Sequence, residues 1–507
     1  MSRAGSILAW LEDKSDLLSP IVVKEVRQIV RGREFNYAFG ASLVVGLAVA
    51  FFGAADALAG SGTAGRWTFT ALMFGLAVLG IGVVPLGAFS ALRNERMEHT
   101  LDLVTLTALS PRRIITGKLL AQGVKLVTLF AAIAPFIATS FLLGGIDFVT
   151  ILMWLAIVFI WSLWASALCL FLSTLFKSRA MSGIVFGAFG LALFLLFGVV
   201  RSVFGFIRLG GPGGPFYAGL DLWWVLAVMT SICVVTMGNL VLLGENRLTL
   251  TTENRVTRLR IGFLVQFLLI LGWMLTFIND APNVKSNAVE ALTRLAGFHL
   301  ALVAIFVVSE DLIVPRRVMQ QLHRTRGWSW LSAVFMPGGG RGAAYVLAQM
   351  GLLFLTAWVL DASWMQLRQL VTMCGFICVF TGVPALAWRV IELDGQAALH
   401  VRVSILLLVL ASTLLPDLLH YVFWQPDVLN LSYGARHLVN PFRTMANWGV
   451  VESADWFVVP FALGVTGLLT YVILIYHGMR VTEAPASVGA FGTPPAAEET
   501  GSANALY

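Results

Sequence analysis

Charge is scarce in this chain, so the places where it concentrates are the first candidates for chemistry. The densest lies between residues 93 and 118. It begins with Arg93, Glu95, Arg96, Glu98, His99, Thr100 and Asp102, continues through an apolar run to Leu109, and ends with Ser110, Pro111, Arg112, Arg113 and Lys118. Leu101, Val104 and Leu109 form one apolar stripe beside these charges, which predicts a short amphipathic helix on a membrane surface. Ser110 and Pro111 then predict a stop and restart, with the serine capping a new helix whose first residue is the proline. A second cluster precedes it, where Lys24, Glu25, Arg27 and Arg31 alternate with Ile21, Val22 and Val26. The chemistry on offer is charge pairing with a partner or with lipid phosphates. Residue types alone fit equally a solvated loop whose arginines only enforce orientation.

Motifs for covalent or nucleotide chemistry are missing from the sequence. Gly117 and Lys118 are followed by Leu119 and lack the upstream glycine of a phosphate-binding loop, so backbone amides have no cradle for a nucleotide there. Neither a His-Glu-x-x-His zinc motif nor a Gly-x-Ser-x-Gly elbow occurs. Cys169, Cys233, Cys374 and Cys378 all fall inside apolar runs, and the last two have no second pair to complete a metal site. No cofactor or metal is expected on this chain. Among ionisable groups at membrane depth, Lys125 is expected to snorkel toward the nearer surface, and Asp417 and His420 close an apolar run beside Pro416.

These residues hang on a frame that is overwhelmingly apolar. Of 507 residues 58% are hydrophobic and 12% charged, against about 25% charged in soluble proteins, and the mean hydropathy is +0.85. That excludes a soluble enzyme, and the basic residues sit in short clusters between apolar runs, which excludes nucleic acid as a partner and points to membrane lipid. Runs long enough to cross the bilayer begin near Tyr37, Phe69, Leu119, Phe148, Met181, Leu222, Ile261, Leu292, Ala343, Leu370, Val403 and Trp456. The expected fold is therefore an all-α polytopic membrane protein of about 12 transmembrane helices. Lys and Arg divide 25 to 7 between its two sides, which makes the side carrying both termini cytoplasmic.

The span starts recur at an offset near 220 residues, as a parallel repeat would. The expected organisation is a cytoplasmic segment 1–35, a first six-span half 36–244, a basic linker 245–260, a second six-span half 261–480 and a disordered tail 481–507. Between spans eleven and twelve, Trp424, Tyr433, Phe442 and Trp448 predict short helices at the outer interface, serving either as an external gate or as an aromatic belt.

The segment with Glu95, Thr100-Leu101-Asp102-Leu103, Ser110-Pro111-Arg112-Arg113 and Gly117-Lys118, preceded by the Pro20 to Arg31 stretch, resembles the permease family of type-two ATP-binding cassette (ABC-2) exporters. The likeness covers residues 19 to about 245. The second half carries Glu310, Asp311 and Pro315-Arg316-Arg317 without a Thr-Leu-Asp-Leu or Gly-Lys counterpart.

The resemblance implies that residues 93–113 form a coupling helix seated on a separate cytoplasmic ABC ATPase, present in two copies and holding ATP and magnesium. Glu95, Arg96, Glu98, Thr100, Asp102, Pro111, Arg112 and Arg113 would be the coupling contacts. Lys24, Glu25, Arg27 and Arg31 would lie on an interfacial connecting helix. It further implies export across the plasma (inner) membrane, of a cargo that the poverty of intramembrane charge suggests is apolar or amphipathic. One chain would supply both transporter halves or would dimerise. An ion-coupled secondary carrier and a non-transporting membrane scaffold remain alternatives.

Overall fold

A bilayer leaves no water to satisfy backbone polar groups, so long apolar segments must close their hydrogen bonds internally. In a computed structural model the chain does this with helices alone among the described residues, which are 20–97, 110–144, 146–175, 220–249, 253–279, 282–310, 334–391, 397–423, 437–453, 456 and 458–480. Eleven of the helices are long and apolar enough to cross a membrane. The twelfth expected span, starting near Met181, lies outside the described residues.

The chain divides into two compact units between Thr276 and Phe277. The first contains α1 (Pro20–Arg31), α2 (Arg33–Leu58), α3 (Ala64–Ala77), a π-helical stretch Val78–Val83, α4 (Val84–Met97), α5 (Pro111–Leu142), α6 (Phe148–Ser173), α7 (Leu220–Leu248) and α8 (Thr257–Thr276). α3, the π-helical stretch and α4 make one span. Its wide turn contains Gly80 and Gly82 and is followed by Pro85, whose missing N–H would leave a gap in a regular ladder. Phe69, Leu72, Met73 and Leu76 of α3 meet Ile133 and Ile137 of α5 and Trp154 and Val158 of α6 in the core of this unit. Asp147 fixes the start of α6, its carboxylate accepting from the Thr150 amide at 2.9 Å.

α8 packs on α7 within this first unit. Asn239 Nδ2 donates to Gln266 Oε1 at 2.7 Å, Trp273 Nε1 to Ser231 Oγ at 2.9 Å, and Arg258 pairs with Glu245 at 3.1 Å across the connecting turn. The basic stretch 245–260 therefore joins two helices of one unit, and the unit boundary falls a span later, after Thr276.

The second unit contains α9 (Pro282–Val308), α10 (Gly339–Val359), α11 (Trp364–Val390), α12 (Ala397–Phe423), two short helices α13 (Pro441–Ala446) and α14 (Trp448–Ser453), and α15 (Val458–Arg480). Its tightest crossing is α11 on α15, and small residues explain it. A Cβ on Gly375 would sit 2.4 Å from the Gly464 Cα, and one on Gly467 would sit 2.6 Å from the Val379 nitrogen. With lipid as apolar as leucine, such backbone contact is what holds membrane helices together. Thr381 and Tyr471 add a buried hydroxyl pair at 2.7 Å. Of the short helices expected before the last span, α13 and α14 hold Phe442 and Trp448, and Trp424 and Tyr433 lie outside the described residues. Asn440 caps α13 by accepting from the Phe442 and Arg443 amides, each at 3.1 Å, and Trp448 is buried against Leu438 and Val451.

Candidate functional site

α1 is short and amphipathic, and its buried face is unusual. Val22, Glu25 and Ile29, spaced to share one side of the helix, turn toward α5, while Lys24, Arg27 and Arg31 are exposed. A carboxylate on the inward stripe needs a buried counter-charge. Lys118, in the second turn of α5, supplies it. Its ammonium lies 2.7 Å from Glu25 Oε1 and 2.9 Å from Glu95 Oε2. The Lys118 and Glu25 side chains are 3% and 5% exposed, and Glu95 is 20% exposed. Lys24 reaches the other Glu95 oxygen at 3.5 Å from a largely exposed position.

Lys118, Glu25, Glu95 and Lys24 thus belong to a charge cluster that ties α1 to the end of α4 and the start of α5. The buried Lys118 contacts carry its energy. Removing one partner of a buried pair costs about 3–5 kcal/mol because the other is stranded, whereas the solvent-facing Lys24 contact is worth about 0–1 kcal/mol.

The cluster brackets residues 98–109. Glu95 lies in the last turn of α4, which continues the preceding span to Met97, and Ser110 begins α5. Glu98, Thr100 and Asp102, together with the expected amphipathic helix, lie outside the described residues, as does the Arg96 side chain. Pro111 is the first residue of α5, as its spacing predicts, and Arg112 and Arg113 in the same turn are exposed. Ser110 occupies the cap position but not by its hydroxyl, because its side chain makes no capping bond. Its own carbonyl accepts from the Arg113 and Ile114 amides at 2.9 and 3.3 Å, and the proline presets the helical φ.

Deeper along α5 the same face stays polar. Gln122 is one turn beyond Lys118, and Lys125 is buried rather than drawn to the surface. An added Cβ on Gly87 would sit 3.1 Å from its ammonium. The absence of a side chain at Gly87 is what makes room for Lys125 against α4, so snorkelling is unnecessary.

The C-terminal end of α9, in the second unit, is built differently. Arg389 and Arg402 donate to the Val308 carbonyl and the Ser309 hydroxyl at 3.2 and 2.8 Å, which satisfies helix-end acceptors. Glu310 accepts from the Gly338 amide at 3.0 Å, where a φ of 123° requires glycine. The described part of this end holds arginine-to-helix-end bonds in place of a lysine between two glutamates.

Sequence reasoning placed Lys118 in a motif but gave it no role. The available signal was Glu25 on the apolar stripe of α1, which demands a partner cation. No group of three or more His, Cys, Asp or Glu positioned to hold a metal occurs among the described residues.

Eleven long apolar helices among the described residues make this a multi-pass helical membrane protein. Compared with protein-family models, curated proteins and solved structures, the chain matches none.

Proposed function

We propose that this chain is the membrane permease subunit of an ABC-2-type exporter, in which a separate cytoplasmic ATPase, in two copies, docks on residues 98–113 and drives movement of an apolar or amphipathic substrate out across the plasma membrane. The observation that carries this reading is the Lys118 cluster. Glu95 and Lys118 stand on either side of the docking segment and are bonded to each other and to α1, so a force on that segment moves two spans and an interfacial helix as one body. That is the mechanical requirement for rigid-body coupling.

In this arrangement Glu25 and Glu95 brace the connecting helix, while Glu98, Asp102, Arg112 and Arg113 face the ATPase. Arg27 and Arg31 face lipid phosphates. Both termini are cytoplasmic, in keeping with the distribution of Lys and Arg. The second six-span half either completes the pathway within one chain or flanks a homodimer.

The test is affinity purification of the tagged chain in mild detergent. An ATPase that accompanies the wild type and is lost from the Glu98→Lys/Asp102→Lys variant supports the reading. Absence of any ATPase even after crosslinking overturns it.

A second reading draws on the polar face of α5. Lys118, Gln122 and Lys125 are all buried, and charge at membrane depth marks ion pathways, which favours an ion-coupled carrier. Uptake into inverted vesicles that follows a proton or sodium gradient and ignores ATP would select this second reading.

A further inference from the structure

A groove of about 580 Å³ runs along the second unit between α9, α11 and α13, within the roughly 300–1,000 Å³ typical of ligand sites. Its walls are apolar, with Ala301 on α9 and Met373 and Ile377 on α11 lining the middle. Polar side chains gather at one end, where Glu290 and Arg294 in the early turns of α9 stand opposite Gln366 and Gln369 in the first turns of α11. Glu290 and Arg294 form an ion pair one turn apart. The groove is open on its apolar flank, because Phe298 and Leu302, which also line it, are exposed by 60% and 43%. In a membrane that flank faces hydrocarbon. Gly297 lets the Met373 side chain lie close against α9, since a Cβ there would collide with it.

We propose that this groove binds a bilayer glycerophospholipid with a zwitterionic headgroup, its acyl chain between α9 and α11 and its headgroup on Glu290 and Arg294. An apolar channel with one polar end matches an acyl chain joined to a headgroup. The two charges of opposite sign decide which headgroup. A phosphate takes the Arg294 guanidinium and an ammonium takes the Glu290 carboxylate, so exchanging the internal pair for the lipid loses no charge-assisted bond. An anionic lipid satisfies Arg294 alone and sets its negative charge beside Glu290. The lateral opening onto hydrocarbon makes the bilayer the source. Assigning the lipid to the outer leaflet rests on the orientation given under the proposed function. The site itself does not depend on that orientation.

The experiment uses the full chain in nanodiscs doped with phosphatidylethanolamine carrying a diazirine at the end of one acyl chain, with labelled peptides mapped after photolysis. Label on residues 297–305 and 369–380 is expected to exceed that on the exposed α12 face at Leu406, Leu407 and Leu410 by about tenfold, and to fall by about tenfold with phosphatidylglycerol as the probe. Ala301→Trp fills the channel and removes the label, whereas Leu407→Trp on α12 leaves it intact. Arg294→Glu weakens labelling, and the exchanged pair Glu290→Arg/Arg294→Glu restores it, which separates headgroup recognition from misfolding. Label spread evenly over all lipid-facing helices means ordinary annular lipid and overturns the proposal, as does equal labelling by the two headgroups. ATPase co-purification is scored separately on the same preparations. Its loss with groove labelling intact counts against the exporter reading alone, and the reverse result against the lipid site alone.

Discussion

Replacing Lys118 with methionine keeps the length and volume of the side chain while removing its charge, so it isolates what the cluster does. In the variant Glu25, 4% exposed, has lost the ammonium 2.7 Å away. Stranding one partner of a buried pair in this way costs about 3–5 kcal/mol. Against that stands what α1 would lose by leaving its seat. Val22 is 5% exposed and Ile29 is partly buried, which together contribute about 3–4 kcal/mol at 1.5–3 kcal/mol for each fully buried side chain.

The two figures are comparable, so Lys118→Met is expected to free α1 from α5 for a substantial fraction of the time without unfolding the bundle. Hydrogen exchange followed by mass spectrometry on peptides covering residues 20–31 reads this directly. A local loss of about 3–4 kcal/mol raises exchange by about 10²–10³-fold in α1 while α6 and α7 stay protected. Glu25→Gln alone leaves Lys118 with Glu95 and should loosen α1 less. The double variant Glu25→Gln/Lys118→Met, which removes both buried charges, should recover most of the protection. Unchanged α1 exchange in Lys118→Met would sink the reasoning, because α1 would then be held by packing alone. A double variant no better than the single would show that shape, not charge, was lost.

Two further outcomes follow from packing. Gly375→Val places atoms where the Gly464 backbone lies, within 2.4 Å of a Cβ, and should destabilise the second unit by about 1–3 kcal/mol, read as a lower thermal midpoint in detergent; an unchanged midpoint means α11 and α15 do not cross there. Cys169, Cys374 and Cys378 are buried, so a membrane-impermeant maleimide should leave all three unlabelled in nanodiscs and react with them only after SDS. Native labelling of Cys374 or Cys378 would place a water-filled route beside Tyr471.

How much of this was legible in the sequence depends on the range of the forces involved. The spans were legible because hydropathy is a local, additive property. Starts near Tyr37, Leu119, Phe148 and Leu370 fall inside α2, α5, α6 and α11. Pro111 announces a helix start through its own backbone chemistry, and α5 begins there. Partners across the chain were not legible in the same way. Lys118 and Glu25 are separated by 93 positions, and nothing local to either names the other. Lys125 was expected at the surface because length and charge favour snorkelling, but whether it needs to snorkel depends on a cavity that Gly87 leaves on a neighbouring helix. The unit boundary after Thr276 depends likewise on Asn239 meeting Gln266, which no charge pattern in the 245–260 stretch could reveal.

The geometry of Lys118 also bears on what the Gly117-Lys118 pair is for. In a phosphate-binding loop a lysine must keep its charge available to an anion that arrives and leaves. Here two carboxylates stand within 3 Å of the ammonium, and a second cation, Lys24, lies 3.5 Å from the other oxygen of Glu95. The ammonium is paired on both sides and can therefore be buried where a lone charge could not. Gly117 is buried beside it. Lys118 therefore serves as a clasp for α1, and the cations Arg27, Arg31, Arg112 and Arg113 around it are exposed. Charge in this region is thus divided between a buried, paired set that ties α1 to α4 and α5 and an exposed set beside it.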